Sequence, residues 1–267
     1  MNIPRIILPR EHGAWAVLVV PALSASILTQ SLSANFLLFM LAALMVFMSH
    51  APLQIVFREF SDSPHQREKY VQARFWADAY LALAFVFILP VLLRGYVRLI
   101  PIGLLALAAL AGTYFMTRNS PRSIPGDLVA VVGLTLSGPA AYYVLTGSFD
   151  RQSFILWIFN VLFFGYSVFY VHAKMKAAAT KKSVLSLHEK LSCGKHLMAY
   201  NVLAISLLLF FFFDRIIPEY SLLAFVPMTT QSIYGTIRLS GQVRFRILGY
   251  ALLGQALLFG ILVGILK

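Results

Sequence analysis

The amino-acid sequence predicts an all-α protein: a polytopic integral membrane bundle of nine transmembrane helices, forming a single membrane domain over residues 1–267. Three observations carry this prediction. Of the 267 residues 60% are hydrophobic and only 12% charged, with a mean hydropathy of +0.80. A soluble chain carries roughly a quarter charged residues, and one water-soluble core cannot bury such an excess of apolar side chains. Continuous runs of Leu, Val, Phe and Ala recur at the roughly 20-residue length that crosses a hydrocarbon core of about 30 Å, without the alternation of a β-barrel. Finally, nine spans place 17 of the 22 basic residues on one side and 5 on the other. That asymmetry predicts a cytoplasmic N-terminus and an external C-terminus.

The net charge of +12 by itself would suit nucleic acid or an anionic membrane surface. The basic residues fall between apolar runs and form no continuous face, which excludes nucleic acid. One cysteine, Cys193, gives no disulfide framework, zinc motif or redox pair and reads as an inert thiol.

The first span, 13–30, follows "PREHGAW". Arg10 suits a positive-inside anchor and Trp15 the interfacial aromatic belt. Glu11 and His12 have no such role and are expected to line the mouth of a polar site at the cytoplasmic face. The second span, 36–57, ends in "SHAPLQIVFRE", where His50, Gln54 and Arg58 recur every four residues and share one helical stripe. Pro52 removes a backbone hydrogen bond there and is expected to kink the helix. Two spans of few polar residues follow, 76–93 with Asp78 just inside it, and 99–117.

The fifth span, 127–147, opens with Asp127 after Pro125 and Gly126. An acid in a first turn has an ordinary role as a cap and dipole partner, and a site role stands beside it. The sixth, 153–173, carries Asn160 within the membrane, then Tyr166, Tyr170 and His172, with Lys174 and Lys176 following at once. Ionisable groups at such positions are functional candidates by default. The remaining spans are 197–213, the shortest, then 220–237 and 247–266. Loops are expected at 58–75 and 174–196, and "KMKAAATKKSVLSLHEKL" in the second suits an amphipathic surface helix.

"PREHGAWAVLVVPALSASIL" resembles the opening of YwiC-like membrane proteins, a bacterial family of uncharacterised function. It also resembles the first helix of the UbiA prenyltransferase superfamily. "PGDLVAVVGLTLSGPAAYYVLTG" is similar to helix 5 of the menaquinone-forming members, and "FNVLFFGYSVFYVHAKMK" to their sixth helix. The resemblance implies a UbiA-like fold in the bacterial cytoplasmic membrane. It also implies an intramembrane chamber for an isoprenoid or quinone-type lipid. UbiA enzymes hold a prenyl diphosphate through magnesium, using aspartate-rich motifs at the ends of helices 2 and 6. This sequence lacks aspartate at both places. Magnesium wants carboxylate oxygens, whereas His50, Gln54, Arg58, His172, Lys174 and Lys176 offer nitrogen donors and positive charge. Neither magnesium nor any other cofactor is therefore expected.

Three readings of function stand open. The first is a divergent UbiA-type protein holding such a lipid below a basic cytoplasmic mouth; any reaction would be a prenyltransferase-like transfer. The second is a non-catalytic transport or assembly-partner protein. The third uses His12, His50 and His172 to ligate a metal or haem. No catalytic residue is assigned. The ligand-binding candidates are Glu11, His12, His50, Gln54, Arg58, Asp127, Asn160, Tyr166, His172 and Lys176.

Overall fold

The computed structural model describes residues 6–9, 12–57, 64–118 and 123–265. Every regular element among them is helical. The chain opens with α1 (His12–Thr29), α2 (Ala34–Phe57), α3 (Pro64–Leu93) and α4 (Leu99–Arg118). There follow α5 (Ile124–Thr135), α6 (Ser137–Thr146), α7 (Arg151–Ala179) and α8 (Leu187–Phe213). A 3-10 helix (Glu219–Phe225) leads into α9 (Val226–Ile237), and α10 (Phe245–Ile265) closes the chain.

Among the described residues seven helical stretches are long and apolar enough to cross a membrane, with α5 and α6 counted together and the shorter apolar α1 standing beside them. Large side chains on their outer faces, such as Phe85, Leu104, Val202 and Leu258, are exposed. Water would not tolerate that much continuous apolar surface. The chain is a multi-pass helical membrane protein.

Side-chain contacts show that the helices run back and forth between two ends. At one end the Tyr114 hydroxyl of α4 donates to the Phe57 carbonyl at 2.8 Å, and Lys174 and Lys190 donate to the Gly235 and Ile237 carbonyls at 3.2 and 2.8 Å. At the other end Arg94, beyond α3, donates to Asn35 at the start of α2, and Tyr142 donates to Asp150 at the start of α7. The 3-10 helix and α9 together run from the second end to the first. Their seven and twelve residues reach about 32 Å at the usual rises.

Packing centres on α1, which touches α2, α5, α6, α7 and α10. Without water, close van der Waals fit rather than the hydrophobic effect holds membrane helices together. The α1–α10 contact is made this way. Gly260 and Gly264 lie one turn apart on α10, and a methyl group on them would meet Val20 at 2.8 Å and Ile27 at 2.4 Å. Next to this seam Phe163 of α7 stacks on Phe259 at 4.1 Å, and Phe225 stands edge-on to Phe259 at 5.3 Å. Each such aromatic pair contributes about 1 kcal/mol beyond its packing.

Several expected boundaries move. The loop expected at 58–75 is helical from Pro64 onward, as the first turns of α3. The segment 174–191 is not a separate surface helix: α7 runs on to Ala179, and α8 starts at Leu187 behind a Ser186–Glu189 capping box. The reason is length. At 30, 29 and 27 residues, α3, α7 and α8 extend about 40–45 Å, well past a core of about 30 Å. Their protruding turns carry Arg67, Lys69, Lys176 and Lys190, whose charge imitates a loop. The expected helix 127–147 is broken at Leu136 into α5 and α6. Pro139 lacks an N–H and crowds the carbonyl four residues back, while Ser137 turns its hydroxyl to the Leu18 carbonyl at 2.6 Å. Asp78 lies on the exposed face of α3, 3.9 Å from Arg74 one turn away.

Candidate functional site

Asp127 and His172 come together. Asp127 stands in the first turn of α5, and Pro125 and Ser123 fix that turn. Proline suits the start of a helix, where its missing N–H is not needed, and the Ser123 hydroxyl accepts from the Gly126 N–H at 3.2 Å. Ser123 is thus the cap, which leaves the Asp127 carboxylate to face α7. There its Oδ2 lies 2.8 Å from His172 Nε2, with the imidazole 13% and the carboxylate 40% exposed. The half-buried pair joins helices that start 27 residues apart in the chain.

On its side away from His172, α7 presents a second polar face, toward α9. Tyr166, Tyr170 and Lys174 are spaced by four and lie on one stripe. The Tyr166 hydroxyl, fully buried, donates to Gln231 Oε1 at 3.2 Å. The Tyr170 ring stacks with Tyr166 at 5.6 Å and covers Gly235, where a methyl group would meet its hydroxyl at 2.5 Å. Lys174 Nζ lies 5.4 Å from the Tyr170 ring centroid while it donates to the Gly235 carbonyl. With Lys190 on Ile237, two cations thus meet the free carbonyls at the C-terminus of α9, where the helix dipole favours positive charge.

The other predicted residues fall elsewhere. His50 and Gln54 contact each other, 3.3 Å between Nε2 atoms, on the first-end half of α2. Glu11 and Arg58 and the side chain of His12 lie outside the described residues. Asn160 is fully buried in α7; it donates to the Leu156 carbonyl at 2.8 Å, and its Oδ1 has no protein partner. Lys176 is exposed on the last turns of α7. Among the described residues no three His, Cys, Asp or Glu side chains gather as a metal would require, and so the histidine-ligated reading gains no support there. Two polar contacts escaped sequence reasoning, Tyr166–Gln231 and Asn201–Ser232, the latter 2.5 Å from Nδ2 to Oγ. Both Gln231 and Asn201 are amides inside apolar runs, the signal that singled out Asn160.

Between α2, α3, α4 and the α5–α6 break lies an apolar cavity of about 380 Å³, whose lining reaches Leu92 and Leu99 beside the Arg94 end. Apart from Ser137, whose hydroxyl is committed to Leu18, its lining is aliphatic, aromatic or glycine. Gly133 and Leu134 of α5 form part of its wall, about 10 Å along the helix from Asp127.

These features define a polytopic helical membrane protein with an apolar intramembrane cavity and a histidine–carboxylate pair at one end. The chain belongs to the YwiC-like protein family, whose model matches residues 8–142, half of its length and inclusive of Asp127. It is 24% identical over 172 residues to the uncharacterized protein YwiC of Bacillus subtilis (strain 168), covering 64% of this chain and 68% of that one. A second relative, an uncharacterized protein of Haemophilus influenzae, is 22% identical over 174 residues with the same coverage. No solved structure matches the chain.

Proposed function

We propose that this chain is a divergent UbiA-type protein of the bacterial cytoplasmic membrane. It crosses nine times, with its N-terminus cytoplasmic and its C-terminus external. In its cavity it holds an isoprenoid or quinone-type lipid below a polar, basic mouth. The observation that carries the reading is the cavity itself: a volume of about 380 Å³ walled almost without polar atoms, within the roughly 300–1,000 Å³ of small-molecule sites. Such a wall rejects water and polar solutes and accepts hydrocarbon. The nine crossings are supported by the roughly 32 Å reach of the 3-10 helix and α9. The orientation is supported by Lys174, Lys176, Lys181, Lys182 and Lys190 at the His172 end.

The residues near the mouth do not fit magnesium. A hard cation wants several carboxylate oxygens; Asp127 is already engaged by His172, and among the described residues no three His, Cys, Asp or Glu side chains gather there. No step through a metal is therefore drawn. Lipid extraction and mass spectrometry of the purified chain should recover an isoprenoid at near-stoichiometric amount; its absence would sink the proposal. Incubation with a prenyl diphosphate, magnesium and aromatic acceptors should give no product, and turnover would overturn the exclusion of the standard reaction.

A further inference from the structure

A second cavity lies at the opposite end of the bundle, with a volume of about 490 Å³. Arg151 at the start of α7 and Arg215 just beyond α8 both line it, together with Gln152 and an apolar floor that includes Leu28, Phe159 and Val263. Among the described residues neither guanidinium has an acidic partner: Asp150 accepts from Tyr142 at 2.8 Å and from the Ser153 N–H at 3.1 Å, and Asp214 is not part of the wall.

Arg215 also sits where an arginine is not the natural choice. The Ile216 N–H donates to the Phe211 carbonyl at 2.8 Å and the Arg215 N–H to Phe212 at 3.0 Å, the Schellman ending of a helix. In that ending the residue at the Arg215 position adopts a left-handed backbone, here φ +53°, which glycine takes without strain.

Two guanidiniums without an acidic partner among the described residues, over an apolar floor, are complementary to one kind of ligand, an anionic headgroup carrying hydrocarbon. Arginine forks onto phosphate oxygens in a bidentate manner, and the floor takes the chain below. We propose that this cavity binds the phosphodiester headgroup of an anionic phospholipid. The site is separate from the apolar chamber and stands whether or not that chamber holds an isoprenoid.

Native mass spectrometry of the full chain in detergent, with added dioleoyl phosphatidylglycerol, dioleoyl phosphatidylcholine or inorganic phosphate, tests it. Phosphatidylglycerol should be retained at least about tenfold better than phosphatidylcholine, from two basic contacts. The Arg151→Gln/Arg215→Gln variant should lose that preference, while a Lys181→Gln/Lys182→Gln variant at the other end should keep it. Should the first variant fail to fold, Arg151→Lys/Arg215→Lys keeps the charge without the fork and should give an intermediate preference. Equal retention of the two lipids by the unmodified chain overturns the proposal. So does an unchanged preference in the arginine variants, or resistance to thermal unfolding gained equally from inorganic phosphate, which would make this a site for free anions.

Discussion

Asp127 reaches His172 because it is spared the task of capping. Ser123 accepts the Gly126 N–H, so the carboxylate three residues into α5 can turn to the neighbouring helix. The contact includes a charged group, and such hydrogen bonds contribute roughly 1.5–3 kcal/mol when shielded. With the carboxylate 40% exposed, water weakens it, and Asp127→Asn should cost about 1 kcal/mol. Thermal unfolding in detergent measures this. A double-mutant cycle with His172→Gln should return a coupling of at least about 0.5 kcal/mol, and strict additivity would show that the contact is incidental. Tyr166→Phe is a second case, since the hydroxyl it removes is fully buried and the Gln231 carbonyl oxygen it leaves behind is part-buried. A loss of about 1–2 kcal/mol is expected, and a neutral result would mean that Gln231 turns to another donor. Asp127 and His172 were each legible in the sequence as ionisable residues at a membrane edge. Their pairing was not, because 45 residues separate them and no local period connects α5 to α7. Asn201 passed unnoticed for a different reason: its partner Ser232 is a small polar residue that no hydropathy pattern marks.

Helix ends and helix contacts obey different rules, and the difference decides what a sequence reveals. A hydropathy window detects where a helix touches lipid; it is silent about turns that continue into water. α3 and α7 therefore read as shorter than they are, and the basic turns of α8 read as loop. The break at Leu136 was masked because both flanking pieces are apolar, although Pro139 and Gly138 announce it in hindsight. Close helix contacts leave a clearer mark, small residues one turn apart. On α10 these are Ala256, Gly260 and Gly264, all buried against α1. Gly264→Leu must displace Ile27, whose Cγ2 lies 2.4 Å from the position of the added carbon, and its neighbour Leu28 has its backbone N at 3.4 Å. Overpacking of this kind costs about 1–3 kcal/mol. The variant should unfold at lower temperature and yield less monodisperse protein. Gly254→Leu, with nothing within 4 Å on the same helix, should behave as the parent. Equal behaviour of the two would show that the α1–α10 seam does not hold the bundle together.

At the scale of the whole molecule, the two ends differ in character. One gathers the His172–Asp127 pair and the lysines of α7 and α8; the other has Arg94, Arg98, Arg151 and Arg215. The apolar cavity lies within the bundle between them. That cavity gives a test independent of the polar residues. Gly103 lines it, and a Cβ there meets nothing within 4 Å, so a large side chain can enter without moving backbone. Gly103→Phe should fill much of the volume, leave thermal stability within about 0.5 kcal/mol, and cut the bound isoprenoid several-fold in the extraction assay. Undiminished lipid with an intact fold would place any ligand elsewhere. The difference between the ends also predicts how the molecule sits in the bilayer. Basic residues resist transfer across the membrane, so the lysine-rich end should face the cytoplasm. With Cys193 replaced by Ser, single cysteines at Lys182 and at Gly147 report the two ends separately. Lys182 follows the end of α7, and Gly147 is the exposed left-handed residue that ends α6. A membrane-impermeant maleimide added to intact cells should label Gly147→Cys and spare Lys182→Cys until the cells are opened. The reverse pattern would invert the orientation, and labelling of both in intact cells would mean that the chain between Gly147 and Lys182, which is mostly α7, does not cross the membrane.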